Sequence, residues 1–485
     1  MRKTALALVF MMLICGSRAN SSVVEWPNGH RLTAKNGMFV DYSGRQVILR
    51  GVNAGMRSKL PPFFPFEPEP DFETSLNKYA DILQSLGMNV VRLLIMFEAA
   101  EPERGTYDEE YLAKYDAMID AFAERGFYVI VDSHQDVFSR RFCGDGFPDW
   151  VLAPKYRDER HKSNCLVWEN RYLSPQVLNS FDRLWGNTDG VQDRYIEFFK
   201  MLAARYRNRP EVIGFEPINE PFVGWWGLTH YGTWHEKQLY PFFERVAAAV
   251  HSVDQRFIIF TDICPMENPG TWKKDRERPD IDNLALAPHY YDMGYMKFLW
   301  FNPGGGIEKM REGLAKHTAL SRAWGVPSFV GEYGVSMHRD DAAQYLTRLY
   351  TVYDEMELSG SIWEASMSEN IWNKRDKNIM APDGTVKEPA FAIDRPYPRA
   401  VAGTIDDIMF DTDPAASSFT LKWSEEMRVN ASTVVYLPER IFGSSPCIVI
   451  GPPSDYEFDV EKRLLVVRPL HRKVRRTLSV SPGDE

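Results

Sequence analysis

Val212-Ile213-Gly214-Phe215-Glu216-Pro217-Ile218-Asn219-Glu220-Pro221 is the stretch on which the fold of this chain turns. Its first five residues are short, mostly apolar and rich in β-formers. That predicts a strand covered on both faces rather than a surface helix. Residues 192–207 before it and 234–253 after it repeat their apolar side chains at helical spacing. A doubly covered strand between two amphipathic helices is the repeating unit of a parallel sheet with crossover helices. Working outward, the same kind of run recurs at residues 47–52, 89–94, 128–132, 257–261, 284–289, 328–332 and 360–363, with further helical stretches at 108–125 and 341–356. Eight such units predict an α/β chain folded as a (β/α)8 TIM barrel.

Before the first unit, residues 31–46 carry the turn Asp41-Tyr42-Ser43-Gly44 between alternating runs, which predicts a hairpin beneath the barrel. Composition changes after Lys387-Glu388-Pro389. The runs at 419–423, 432–436, 447–451 and 464–467 alternate without a helical period and predict a small C-terminal β-sandwich that braces the barrel. The expected domains are therefore a leader at 1–19, a catalytic barrel at 20–395 and the sandwich at 396–485.

The leader is read from Arg2 and Lys3, the apolar run 5–15 and the small residues Ser17 and Ala19, which predict cleavage near Ala19 and a secreted or lumenal product. The formal net charge of −10 argues against a nucleic-acid partner. Arg472, Lys473, Arg475 and Arg476 read as a solvated strand face rather than a patch for anionic membranes. Without Cys15 of the leader, the cysteines are Cys143, Cys165, Cys264 and Cys447. Cys143 and Cys165 bracket one loop and are the expected disulfide in an exported chain. No metal-ligand spacing appears, and sequons stand at Asn20 and Asn430.

In such a barrel the chemistry sits on the polar residues that close each apolar run. They are Arg92 on strand two, Asp132-Ser133-His134-Gln135-Asp136 on strand three, and Asn219-Glu220-Pro221 on strand four. His289-Tyr290-Tyr291 follows on strand six, Gly331-Glu332-Tyr333-Gly334 on strand seven and Trp363-Glu364 on strand eight. Glu220 and Glu332 would face each other across the mouth. Double displacement at an anomeric carbon needs such a pair, one protonated to help the leaving oxygen and one ionised to attack, about 5–5.5 Å apart. Asn219 would bond the sugar 2-hydroxyl, and Arg92 and Tyr291 would hold Glu332 ionised. His134 and His289 would bond substrate or orient the acid, and Trp363 would floor the pyranose. Each alone has a plain structural explanation, a strand-end ion pair or a satisfied core group. The ordered set is what carries the reading.

That set resembles glycoside hydrolase family 5 over about residues 30–395. Asp132-Ser133-His134-Gln135-Asp136-Val137 with Phe142-Cys143-Gly144-Asp145-Gly146 is most similar to its endoglycoceramidase branch, which also carries a C-terminal β-sandwich. The resemblance implies cleavage between oligosaccharide and ceramide in glycosphingolipids, with Glu220 as acid/base, Glu332 as nucleophile and Asn219 in its family role. Lys59, Asp136 and Trp185 would be further sugar contacts. Two carboxylates need no cofactor. The expected partner is a glycosphingolipid at a membrane or micelle surface, and no protein partner is implied.

The loops at 60–66, 222–226 and 295–301 are rich in Phe, Trp and Leu, and ceramide methylenes favour such apolar surface at roughly 0.8 kcal/mol each. Rival readings are a glucosyl- or galactosylceramidase with the same catalytic residues, and an endoglucanase with an open aromatic groove. A non-catalytic glycolipid binder is opposed by the presence of both carboxylates.

Overall fold

The computed structural model describes residues 31–158, 165, 168–266, 276–292, 306–374, 377–413 and 417–483. The expected leader, the Asn20 sequon and the loop 295–301 lie outside them. The chain divides after Asp394 into the unit Glu25–Asp394 and a unit containing Arg395–Glu485.

The first unit is a parallel barrel. In strand order its members are Arg50–Ala54, Val90–Ile95, Tyr128–Ser133, Val212–Glu216, Ile258–Thr261, Leu284–Leu286 with His289–Tyr290, Phe329–Tyr333 and Ser359–Ala365. Nearly every residue of these strands is buried, the pattern of a sheet covered by helices outside and filled by side chains inside. Strand six is broken at Ala287-Pro288, because a proline has no N–H for the ladder. Its first half pairs with strand five and its second half with strand seven. The Leu286 N–H to Pro327 O bond (3.0 Å) and the Gly331 N–H to Pro288 O bond (3.0 Å) then close the ring of eight.

Register sets which polar residues meet. Asn53 lies opposite Arg92, Asp132 opposite Glu216, and His289 opposite Glu332, all near the C-terminal ends of their strands. The covering helices begin where their sequence says they should. The Asp71 carboxylate accepts from the Thr74 N–H at the start of Phe72–Ser85, and Asp108 accepts from Tyr111 at the start of Glu109–Glu124. The expected helix at 234–253 is present as one run from Tyr231 to His251, widened into a π turn at His235–Leu239, with Pro241 in the first turn of its last part, Tyr240–His251.

Strand one starts at Arg50 rather than at 47. Gln46–Val47 instead pairs antiparallel with Met38–Val40 across the Asp41–Gly44 turn. A second turn, Asn36-Gly37, joins Met38–Val40 to Thr33–Lys35. Both of its residues have positive φ (52° and 77°), the requirement of a two-residue hairpin. This small meander sits at the N-terminal ends of the barrel strands. Gly37 N–H donates to Gly325 O (3.0 Å), Ala34 N–H to Asn283 Oδ1 (2.7 Å), and Arg31 donates to Val212 O (3.0 Å) while pairing with Asp254 (2.7 Å).

In the second unit Gly403–Asp411, Ser418–Glu425, Val474–Ser481 and Cys447–Gly451 form one antiparallel sheet in that order. Tyr397–Val401, Thr433–Tyr436, Leu464–Val467 and Tyr456–Asp459 pair antiparallel in another. Ser418–Glu425 buries every second side chain, so one face of its sheet lies on a core. The basic run at 472–476 divides by the same alternation. Arg475 points to solvent, while Arg476 is buried against Glu425 and the Trp423 ring, so that face is not wholly solvated as the sequence had suggested.

Candidate active site

Arg92 is the hub of the barrel mouth. Fully buried, its guanidinium grips Glu216 with two bonds (Nε to Oε2 2.8 Å, Nη2 to Oε1 2.7 Å). It also donates to Asn53 Oδ1 (2.8 Å) and Asn219 Oδ1 (2.9 Å), and reaches Asp132 at 3.1 Å and Glu332 Oε1 at 3.3 Å. The expected contact with Glu332 is therefore present but is the longest of the set. The cation's two-bond partner is instead Glu216, a residue the sequence reading left without a role. A carboxylate inside an otherwise apolar strand is itself a sign that a buried cation must face it.

Asn219 and Glu220 leave strand four in a backbone held on both sides. The Gln135 side-chain amide donates to both carbonyls (2.8 and 3.0 Å), and Asp262 Oδ2 accepts the Glu220 N–H (2.8 Å). Glu220 sits at φ 41°, in the left-handed region that non-glycine residues rarely occupy, and these contacts fix it there. The Asn219 side chain accepts from Arg92 and donates to Gln135 O (3.0 Å), which leaves one amide hydrogen for a ligand.

Glu332 ends strand seven. Tyr291 O–H donates to its Oε2 (2.7 Å), and His289 Nδ1 lies 2.9 Å from Glu220 Oε1 and 3.7 Å from Glu332 Oε2. One carboxylate oxygen of Glu220, one of Glu332 and a ring nitrogen of His289 all lie within 4.8 Å of one another. Burial pushes the Glu332 carboxyl up, but His289, Arg92, His134 and Lys59 together outweigh it and hold the group below its ordinary value. Glu332 is thus the ionised member. Its side chain is 7% exposed against 22% for Glu220, which is the more open of the two.

Beside the pair lies a second charge cluster. Lys59 Nζ is bonded to Asp136 Oδ2 and stands over the rings of Trp363 (4.5 Å) and Trp372 (4.6 Å). His134 Nδ1 pairs with Asp132 Oδ2 (2.7 Å), its ring stacks on Trp363 (5.4 Å), and the Asp136 N–H donates to Asp145 Oδ1 (3.2 Å). Burial works against the charge of His134, yet its carboxylate neighbours pull it up to about 9. Burial likewise opposes the charge of Asp136, but Lys59 and His134 bring it down to about 2, while Asp145 is pushed up to about 7, chiefly by burial. The groupings His134–Asp136–Asp145 and Glu216–Asp262–His289 are close enough to share an ion, but Lys59 and Arg92 already neutralise them from within.

Ten of the eleven residues picked out from the sequence meet here: Lys59, Arg92, His134, Asp136, Asn219, Glu220, His289, Tyr291, Glu332 and Trp363. Trp363 is only 4% exposed under Lys59 and His134, so it offers a sugar little open floor, and His134, at 1%, is a brace more than an open contact. Trp185 stands apart: its ring packs on Phe181, Trp234 and Phe242, and its N–H donates to Phe222 O (2.8 Å), so it braces the loop after Glu220.

The apolar loops also divide. Phe64 and Phe66 are buried against Phe72, Tyr79 and Tyr111, so residues 60–66 fold onto the barrel and do not form an aliphatic slot. In the loop after strand four Phe222 and Val223 are buried, while Trp225 and Trp226 are 47% and 37% exposed. Their amide N–H groups are both fastened to the Asp182 carboxylate (3.0 and 3.3 Å). Cys143 and Cys165 form a disulfide.

Two carboxyl groups this close, one kept ionised and one open to a ligand at the mouth of a (β/α)8 barrel, define a glycosidase of the two-carboxylate kind. An oxygen of each lies within 4.8 Å of one of the other, a close approach that suits the pair of a retaining enzyme. The chain belongs to glycosyl hydrolase family 5: the family description "Cellulase (glycosyl hydrolase family 5)" matches residues 40–369, and "Glycoside hydrolase family 5 C-terminal domain" matches 395–481. Among similar proteins, the endoglycoceramidase of Cyanea nozakii is 24% identical over 88% of both chains. Endoglycoceramidase I of Rhodococcus hoagii is 27% identical over 79% of this chain and 75% of that one. The solved endo-glycoceramidase II from Rhodococcus sp. superposes with a TM-score of 0.73 at 27% identity, covering 92% of this chain and 99% of that chain. That protein has also been solved as a lactosyl-enzyme intermediate and as a ganglioside complex.

Proposed function

We propose that this chain is a retaining endo-glycosidase that cleaves the β-glycosidic bond between the oligosaccharide and the ceramide of glycosphingolipids. The observation that carries the chemistry is the Glu220–Glu332 pair, with an oxygen of each within 4.8 Å of one of the other and Glu332 held ionised. What supports the substrate is the similarity, along most of both chains, to endoglycoceramidases, one of them solved with a ganglioside.

In the first step Glu332 attacks the anomeric carbon while Glu220 gives its proton to the glycosidic oxygen. The carbon–oxygen bond breaks, ceramide leaves as an alcohol, and the glycan is esterified to Glu332. In the second step the Glu220 carboxylate takes a proton from water as the water oxygen attacks the same carbon, releasing the glycan with retained configuration and Glu332 ionised again. Arg92 and Tyr291 hold the nucleophile in place. The free hydrogen of the Asn219 amide takes the sugar 2-hydroxyl, a contact that strengthens as positive charge develops at the ring. Lys59 and Asp136, braced by His134, form the polar wall for the glycan.

On the aglycone side, Trp225 and Trp226 lie at the same end of the barrel as Glu220 and meet the lipid or the micelle surface that carries it. Export is part of the same reading. A leader at 1–19 and the Cys143–Cys165 disulfide suit an extracytoplasmic enzyme, and among the described residues no helix is long and apolar enough to cross a membrane.

The test is incubation of the purified protein with a ganglioside and with glucosylceramide, identifying released sugar by mass. Intact oligosaccharide together with ceramide supports the proposal. Free glucose alone moves the chain to the glucosylceramidases, and cleavage of soluble β-glucans only moves it to the endoglucanases.

A further inference from the structure

Asp262 follows strand five, and no step above uses it. It is 2% exposed. Its Oδ1 is tied to the neighbouring Ile263 N–H (2.7 Å), while Oδ2 both accepts the backbone N–H of Glu220 (2.8 Å) and faces His289 Nε2 at 3.5 Å. The other ring nitrogen of His289 lies 2.9 Å from Glu220 Oε1. One carboxylate oxygen therefore reaches the acid/base by two routes, through its backbone and through the imidazole. His289 Nε2 has no hydrogen-bond partner among the described residues, so this oxygen is the polar group the ring turns toward.

We propose that Asp262 is the positioning residue of the acid/base: it fixes Glu220 in its left-handed backbone and aims His289 at the Glu220 carboxyl. This rests on the assignment of Glu220 as acid/base. With its Nδ1 2.9 Å from Glu220 Oε1, the His289 ring holds that carboxyl in the orientation from which it meets the glycosidic oxygen. The groups that face Asp262 and His289 are Glu216 from strand four, Glu220 beyond it, Glu332 from strand seven, and Arg92 from strand two, which neutralises Glu216. Burial pushes Asp262 up to about 8 against the pull of His289. Burial would lower His289, but Asp262 first, then Glu332 and Glu220, raise it to about 10.

A general acid matters for a poor leaving group and hardly at all for one that departs unaided. The experiment therefore measures kcat/KM of the full-length wild type, Asp262→Ala and Asp262→Asn on two β-lactosides, one with an alkyl alcohol and one with 2,4-dinitrophenol as leaving group. Asp262→Ala is expected to lose about 30-fold or more on the alkyl lactoside, part of the roughly 10²–10⁴ a general acid contributes, and less than about 3-fold on the dinitrophenyl lactoside. Asp262→Asn keeps an oxygen for the Glu220 N–H, so it should fall between Asp262→Ala and wild type. Equal losses on both substrates, or none on either, would overturn the proposal. If Asp262→Ala does not fold, the ratio for Asp262→Asn decides. Cleavage of lactosides but not of glycosphingolipids by the wild type would refute the ceramide reading and leave this ratio intact.

Discussion

Glu220 and Glu332 are chemically identical, and their surroundings are what separate their work. Replacing Glu220 by Ala should lower kcat/KM for a glycosphingolipid by about 10²–10⁴, the share of a general acid, and far less for a dinitrophenyl glycoside. Parallel assays on the two substrates read this directly. Tyr291→Phe removes one hydrogen bond to the charged Glu332 carboxylate (2.7 Å). A bond of that kind contributes about 1.5–3 kcal/mol, so kcat should fall by roughly 10- to 150-fold with the fold intact. An unchanged kcat would remove Tyr291 from the catalytic set. At this scale much was legible in the sequence, because a carboxylate closing an apolar run has to do something costly. Glu216 and Asp262 were not legible. Glu216 reads as part of a strand until the register brings Arg92 to it, and Asp262 acts through the backbone of a residue far away in sequence.

Strand ends are the elements that decide the site, and each sits where its neighbour's register puts it. The eight strands follow from short β-rich runs between helices, with errors of a few residues where a hairpin competes, as at Gln46–Val47. Loops were the least legible part. Residues 60–66 and 222–226 are equally apolar in sequence, yet one is buried by Tyr79 and Tyr111 while the other keeps Trp225 and Trp226 exposed. Only the packing partner distinguishes them. Replacing Trp225 and Trp226 by Ala should therefore raise KM for micellar glycosphingolipid by about tenfold, ~1.4 kcal/mol of lost apolar contact. It should leave hydrolysis of a soluble aryl glycoside unchanged. An equal effect on both substrates would mean that the pair only supports the Glu220 loop.

The whole molecule carries a net charge of −10, and one group of its buried ionisable side chains gathers at the mouth of the barrel. Four of them hold protons to higher pH when folded: Asp145 to about 7, Asp262 to about 8, His134 to about 9 and His289 to about 10. The folded chain then binds more protons than the unfolded chain, so stability falls as pH rises. The two carboxyls act from about pH 4 upward and the two imidazoles from about pH 6.5. Asp136, held down to about 2, works in the opposite sense and withdraws stability only as pH falls below about 4. Thermal unfolding followed from pH 3 to 10 should show its highest Tm on the acid side of neutrality and a steady decline above pH 6.5. A Tm that rises through that range would contradict the charge arrangement described for the site.

The most direct test of the two-carboxylate account is to trap the first step. A 2-deoxy-2-fluoro glycoside with a good leaving group slows release of the covalent intermediate, and peptide mass mapping then locates the sugar. One glycosyl unit per chain is expected, on the peptide containing Glu332, and none in Glu332→Gln. A sugar attached to another residue, or steady turnover with no adduct and an inverted product, would contradict it.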